Sequence, residues 1–144
     1  MSHINLRVTH RLLWRLYGYR AVISVLVGLG IFFAPQFFAN SANYTTIEAV
    51  LPLKLAGLLW IVAGVMIGGA LLKWPYKIAR LGIGVTIMLY FLWGTGILTN
   101  NLINQPHPTS LFAVFAYYSL ALTSFFMLLE PPINPETAIK TKKD

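Results

Sequence analysis

The chain contains no cysteine, which removes disulfides, thiolate nucleophiles, iron–sulfur clusters and cysteine-ligated zinc together. Acid is nearly as scarce. The four carboxylates, Glu48, Glu130, Glu136 and Asp144, fall in connections, in the C-terminal tail or at the edge of an apolar run. A proton- or cation-coupled transporter usually needs a carboxylate inside the membrane to exchange the proton or hold the cation, and paired-carboxylate acid–base work needs two. The sequence supplies neither. His3, His10 and His107 are dispersed, with no second ligand at metal spacing, and no serine has a base close to it in sequence. No catalytic residue, metal site or cofactor is expected.

What the chain has instead is apolar length. Of its 144 residues 57% are hydrophobic and only 10% charged, too little charge to cover a soluble domain of this size. Four apolar runs, 21–39, 53–72, 79–99 and 110–129, each approach the roughly 20 residues a helix needs to cross a hydrocarbon core. The first exceeds the roughly 7 to 15 apolar residues of a signal-peptide core, so it reads as an anchor. Pro35, Pro75, Pro108 and Pro131 punctuate the runs, and proline cannot continue a helix interior. Residues 40–52 read as a polar loop, 73–77 as a tight turn, and 100–109 as a second turn rich in asparagine and proline. The expectation is an all-α fold: an integral membrane antiparallel four-helix bundle, preceded by an interfacial amphipathic helix over 1–20 and followed by a polar tail over 130–144.

The N-terminal segment carries Arg7, Arg11 and Arg15 along one helical face and Leu6, Leu12, Leu13 and Leu16 along the other, the pattern of a helix lying in the membrane surface. With Arg20, Lys73, Lys77 and Arg80 these residues are expected to meet anionic lipid headgroups. Ten of the eleven basic residues lie in 1–20, in the connection between the second and third spans, or in the tail; Lys54 alone is on the other side. The positive-inside rule then puts both termini in the cytoplasm, and an even number of spans agrees by placing them on one side. A bacterial inner membrane is the expected location. The net charge of +7 thereby belongs to the membrane surface and implies no nucleic acid. Trp14, Tyr17 and Arg20 before the first span resemble in order Trp74, Tyr76 and Arg80 before the third, as a duplicated helix pair would.

Small residues mark the second span. At about 100° per residue, Gly57, Gly64 and Gly68 form one stripe with Ile61, while Ala56, Ala63 and Ala70 form another beside it. Lipid tails are as apolar as leucine, so helices in a bilayer associate through small residues that let backbones approach. Two stripes imply two close neighbours, and Gly28 on the first span, with Ala21 and Ser24, offers a matching surface. Trp60, Tyr90, Trp93, Tyr117 and Tyr118 place polar aromatic atoms within the spans, where each needs a partner.

The functional expectation is a non-enzymatic multi-pass protein that acts by helix packing, as a self-associating homo-oligomer or a partner-binding subunit of a membrane assembly. One alternative is a holin-like phage pore former, which needs no active site. The other is a small lipid- or quinone-binding enzyme subunit whose pocket the aromatics line.

Overall fold

The protein is seen in a computed structural model that describes residues 3–36, 42–72, 75–103 and 108–129. Among these every regular element is helical: α1 (His3–Phe33), α2 (Ala42–Val50), α3 (Leu53–Gly69), continued by a 3₁₀ turn (Ala70–Leu72), α4 (Tyr76–Ile103) and α5 (Pro108–Leu129). Three stretches, Arg15–Phe33, Tyr76–Ile103 and Leu111–Leu129, are long and apolar enough to cross a membrane, and α3 is a shorter apolar helix.

Proline sets the breaks. The residue before a proline is pushed out of the helical region, and α1 accordingly ends at Phe33, with Ala34 N–H still reaching the Gly30 carbonyl at 3.0 Å ahead of Pro35. Pro52 stands immediately before α3, its carbonyl accepting the first helical bond from Ala56 N–H at 3.0 Å. Pro108 is the first residue of α5, the position where a missing N–H costs nothing.

Element ends shift by a few residues, with α1 stopping at Phe33 rather than 39, α4 starting at Tyr76 rather than 79 and α5 at Pro108 rather than 110, and three larger differences from the sequence reading stand out. The surface segment expected over 1–20 and the span expected over 21–39 are one unbroken helix of 31 residues. Nothing at their junction can stop a helix: Gly18 costs only about 1 kcal/mol in a helix interior, and no proline occurs before Pro35. The connection expected as a loop over 40–52 contains α2, whose Ile47 is fully buried against Gly96 of α4. Ile47 and the partly buried Leu51 that follows the helix join the core cluster and so dock this segment. Third, α4 runs past the expected end at 99 and includes Asn100 and Asn101, both buried. Side-chain positions for Arg7, Arg11 and Ala70 lie outside the described ones, as do Lys73, the connection 104–107 with His107, and the tail 130–144.

Packing follows the chain: α1 lies on α3, α3 on α4, α4 on α5, and α2 on α4. Contacts fix the directions. Gly28 meets Gly57 while Gly64, further along α3, meets Ala21, further back on α1, so these two helices are antiparallel. At one end of the molecule Tyr17 Oη donates to Tyr76 Oη at 3.2 Å and Arg80 Nη2 donates to the Leu128 carbonyl at 2.9 Å. The middle of α1, the start of α4 and the end of α5 therefore lie together. The core holds Trp60, Leu89, Tyr90 and Trp93 at one level and Tyr17, Ile67, Ala79 and Ile83 at another. The remaining side, between α1 and α5, has no comparable backbone packing.

Candidate functional site

The small-residue stripes are used within the chain. A β-carbon on Gly57 would stand 2.9 Å from the Gly28 carbonyl oxygen and 2.7 Å from Phe32 N, and one on Gly64 would stand 2.9 Å from the Ala21 carbonyl oxygen. Real β-carbons do not come so close to backbone, so glycine is what lets α1 and α3 touch. Gly68 faces Ala21 at ordinary contact distance. On the neighbouring stripe Ala56 and Ala63 are fully buried, and the Ala63 carbonyl oxygen lies 2.8 Å from where a Gly82 β-carbon would be. The structure brings Gly28, Gly57 and Gly64 together in one seam and sets Ala63 against α4.

The side between α1 and α5 is built differently. Ile23, Val27 and Ile31, spaced four apart, project from one face of α1; Ala113, Ala116, Tyr117 and Leu120 project from α5 toward them; Trp60, Tyr90 and Trp93 form the wall behind. They enclose a cleft of about 390 Å³, within the range of about 300–1,000 Å³ typical of ligand pockets. Val27, Ala116 and Leu120 are exposed, so the cleft opens laterally. The aromatic wall is ordered edge to face: Trp60 and Tyr90 rings are 4.8 Å apart at 71°, and Tyr90 lies 6.3 Å from Tyr117. Four of the five aromatics noted in the sequence thus line one space; the fifth, Tyr118, pairs with Thr95 at 3.1 Å.

A charge stands beside one end of the cleft, bonded to its lining residue Tyr90. Arg20, one helical turn before Ile23, donates from Nη2 to Thr123 Oγ1 at 2.8 Å and from Nη1 to Tyr90 Oη at 3.3 Å. Its guanidinium also stands 5.8 Å from the centre of the Tyr90 ring, within cation–π range. Thr123 is prepared for this role because its own proton goes to the Ser119 carbonyl at 2.7 Å, leaving its oxygen to accept. Arg20, expected as a headgroup contact, is half-buried between helices, whereas Arg15, Lys77 and Arg80 are exposed. A signal was present. Arg7, Arg11 and Arg15 recur every four residues, but Arg20 comes five after Arg15 and so points about 140° away from it.

Two buried polar atoms near this region have no hydrogen-bond partner among the described residues, Trp60 Nε1 and Ser24 Oγ. Thr86 and Ser124 satisfy themselves on the carbonyls of Ile83 and Leu120. Chemically the site offers apolar length, aromatic faces and one cation. Comparison with models of known families, with curated proteins and with solved structures finds no match, and the guide to function is therefore the geometry of this cleft.

Proposed function

We propose that the chain is a non-enzymatic integral membrane protein with four spans and both termini in the cytoplasm, acting as a subunit that takes another bilayer component into its open flank between α1 and α5. The observation that carries this reading is that flank: two long apolar helices held apart over an aromatic-walled cleft. The fourth span is α3 with its 3₁₀ turn, about 31 Å of helix in all, enough for a core of about 30 Å. Outward-facing Leu26, Val62, Met88, Phe91, Phe112 and Phe115 form an apolar surface on all four helices that lipid would cover.

The mechanism differs from packing through the glycine stripe of α3. Gly57 and Gly64 are already against α1, so an assembly surface has to lie elsewhere, and the flank is where apolar groups lack a protein neighbour. The pore-former alternative relies on the same small-residue faces for packing between copies, and loses that support.

The absence of cysteine makes the test clean. Single cysteines at Val27, Ala116 and Leu120, exposed residues lining the flank, and at Val62 and Met88 on other faces, are to carry a photo-crosslinker in native membranes. A distinct adduct from the flank positions alone is the expected result. The same adducts from all five positions would overturn the reading.

A further inference from the structure

The flank also specifies the class of its occupant; this step rests on the reading of the chain as a membrane-embedded binding subunit. Along α1 the cleft runs from Ile23 to Ile31, about 12 Å at 1.5 Å per residue. A single hydrocarbon chain can lie along that length between Ile23, Val27 and Ile31 of α1 and Ala113, Ala116 and Leu120 of α5. The lining is Ile, Val, Leu, Ala and aromatic carbon, which suits a hydrocarbon chain.

Arg20 determines the other end. A guanidinium has five N–H donors, and among the described residues two bonds are made, to Thr123 and Tyr90. Both partners are neutral. The one carboxylate among the described residues, Glu48, belongs to α2, which packs near Gly96 at the opposite end of α4. A half-buried cation with neutral partners at the mouth of an apolar groove calls for an anion attached to a hydrocarbon chain, and the planar guanidinium matches phosphate oxygens in particular. We infer that the α1–α5 flank binds one anionic phospholipid from the surrounding bilayer, its phosphate on Arg20 and an acyl chain along Ile23, Val27 and Ile31. A zwitterionic lipid would bring its own cation toward Arg20 and bind less well. A neutral quinone would leave the charge unmatched.

The test is native mass spectrometry of the full-length protein released from nanodiscs containing equal phosphatidylglycerol and phosphatidylcholine. The expected result is one retained phosphatidylglycerol, reduced at least tenfold in Arg20→Gln and also lost in Ala116→Trp, which fills the cleft. Thr123→Val separates charge from scaffolding, because it removes the bridge between α1 and α5 and keeps the cation. Retention in Thr123→Val supports the inference. Loss equal to that of Arg20→Gln would mean that Arg20 only holds the helices together, and would overturn it. Equal retention of the two lipids, or retention unchanged in Ala116→Trp, would also overturn it. Selective flank adducts to a protein or a second copy, with no retained lipid, would sink this inference while leaving the binding flank itself intact.

Discussion

On one side of α1, Gly28 lies so close to α3 that a β-carbon there would stand 2.6 Å from the Gly57 carbonyl oxygen. On the other, Ile23, Val27 and Ile31 face α5 across a cleft of about 390 Å³. The same helix therefore has a sealed seam and an open flank, and the residues that differ are small against branched. Branched side chains keep a neighbouring backbone at a distance, whereas glycine admits it and lets many weak dispersion contacts accumulate. Stability should then reside in the seam and binding in the flank.

The contrast breaks most sharply at Gly64. Gly64→Leu must push α1 away from backbone atoms that cannot move aside, so its expected cost is about 4 kcal/mol or more, above the usual overpacking range of about 1–3. Thermal unfolding in detergent micelles, followed by circular dichroism, measures it; a midpoint unchanged from the wild type would refute the sealed seam. A weaker effect is expected at Gly96, where the obstruction is the Ile47 side chain rather than backbone. Gly96→Leu should cost about 1–3 kcal/mol and unseat α2, read as faster hydrogen exchange over Ala42–Val50. If α2 stays protected, its docking does not depend on Ile47.

Smaller effects sharpen the comparison from the other direction. Gly30 has nothing within 4 Å of its would-be β-carbon, so Gly30→Ala should stabilise α1 by about 0.5–1 kcal/mol through helix propensity. The same unfolding experiment reports it, and destabilisation would show that α1 is packed on a face where the structure leaves it open. The smallest change is expected at Ala116, an exposed residue of the flank. Ala116→Leu should alter stability by no more than about 0.5 kcal/mol while narrowing the cleft. A large loss of stability would mean that α1 and α5 are closed against each other in the membrane.

Much of this was legible before folding was considered. Prolines announced the helix ends, and the stripes carrying Gly57 with Gly64 and Ala56 with Ala63 announced that α3 has two neighbours. The aromatics Trp60, Tyr90, Trp93 and Tyr117 were visible as groups needing partners, but nothing in their spacing placed them on one wall, because they come from three different helices. Ile47 was hidden for a related reason: among Asn43, Thr45, Thr46 and Glu48 nothing in the sequence marks it as core, and its value comes from the recess at Gly96 and the core cluster it joins. The continuity of α1 through Arg20 is not legible in composition, because a change from basic to apolar residues marks where a helix meets apolar surroundings and leaves its backbone hydrogen bonding unchanged.

The sequence by itself determined a helical, acid-poor chain with long apolar elements, proline-defined ends and close packing around α3. Only the tertiary structure decided that α1 of the same chain fills the glycine stripe, that Arg20 turns inward to Tyr90 and Thr123, and that the α1–α5 side stays open. The physical reason is that protein and lipid interiors are equally good solvents for leucine and isoleucine. A hydrophobic pattern in such a chain says that a face avoids water, and shape complementarity between particular helices decides whether protein or lipid covers it.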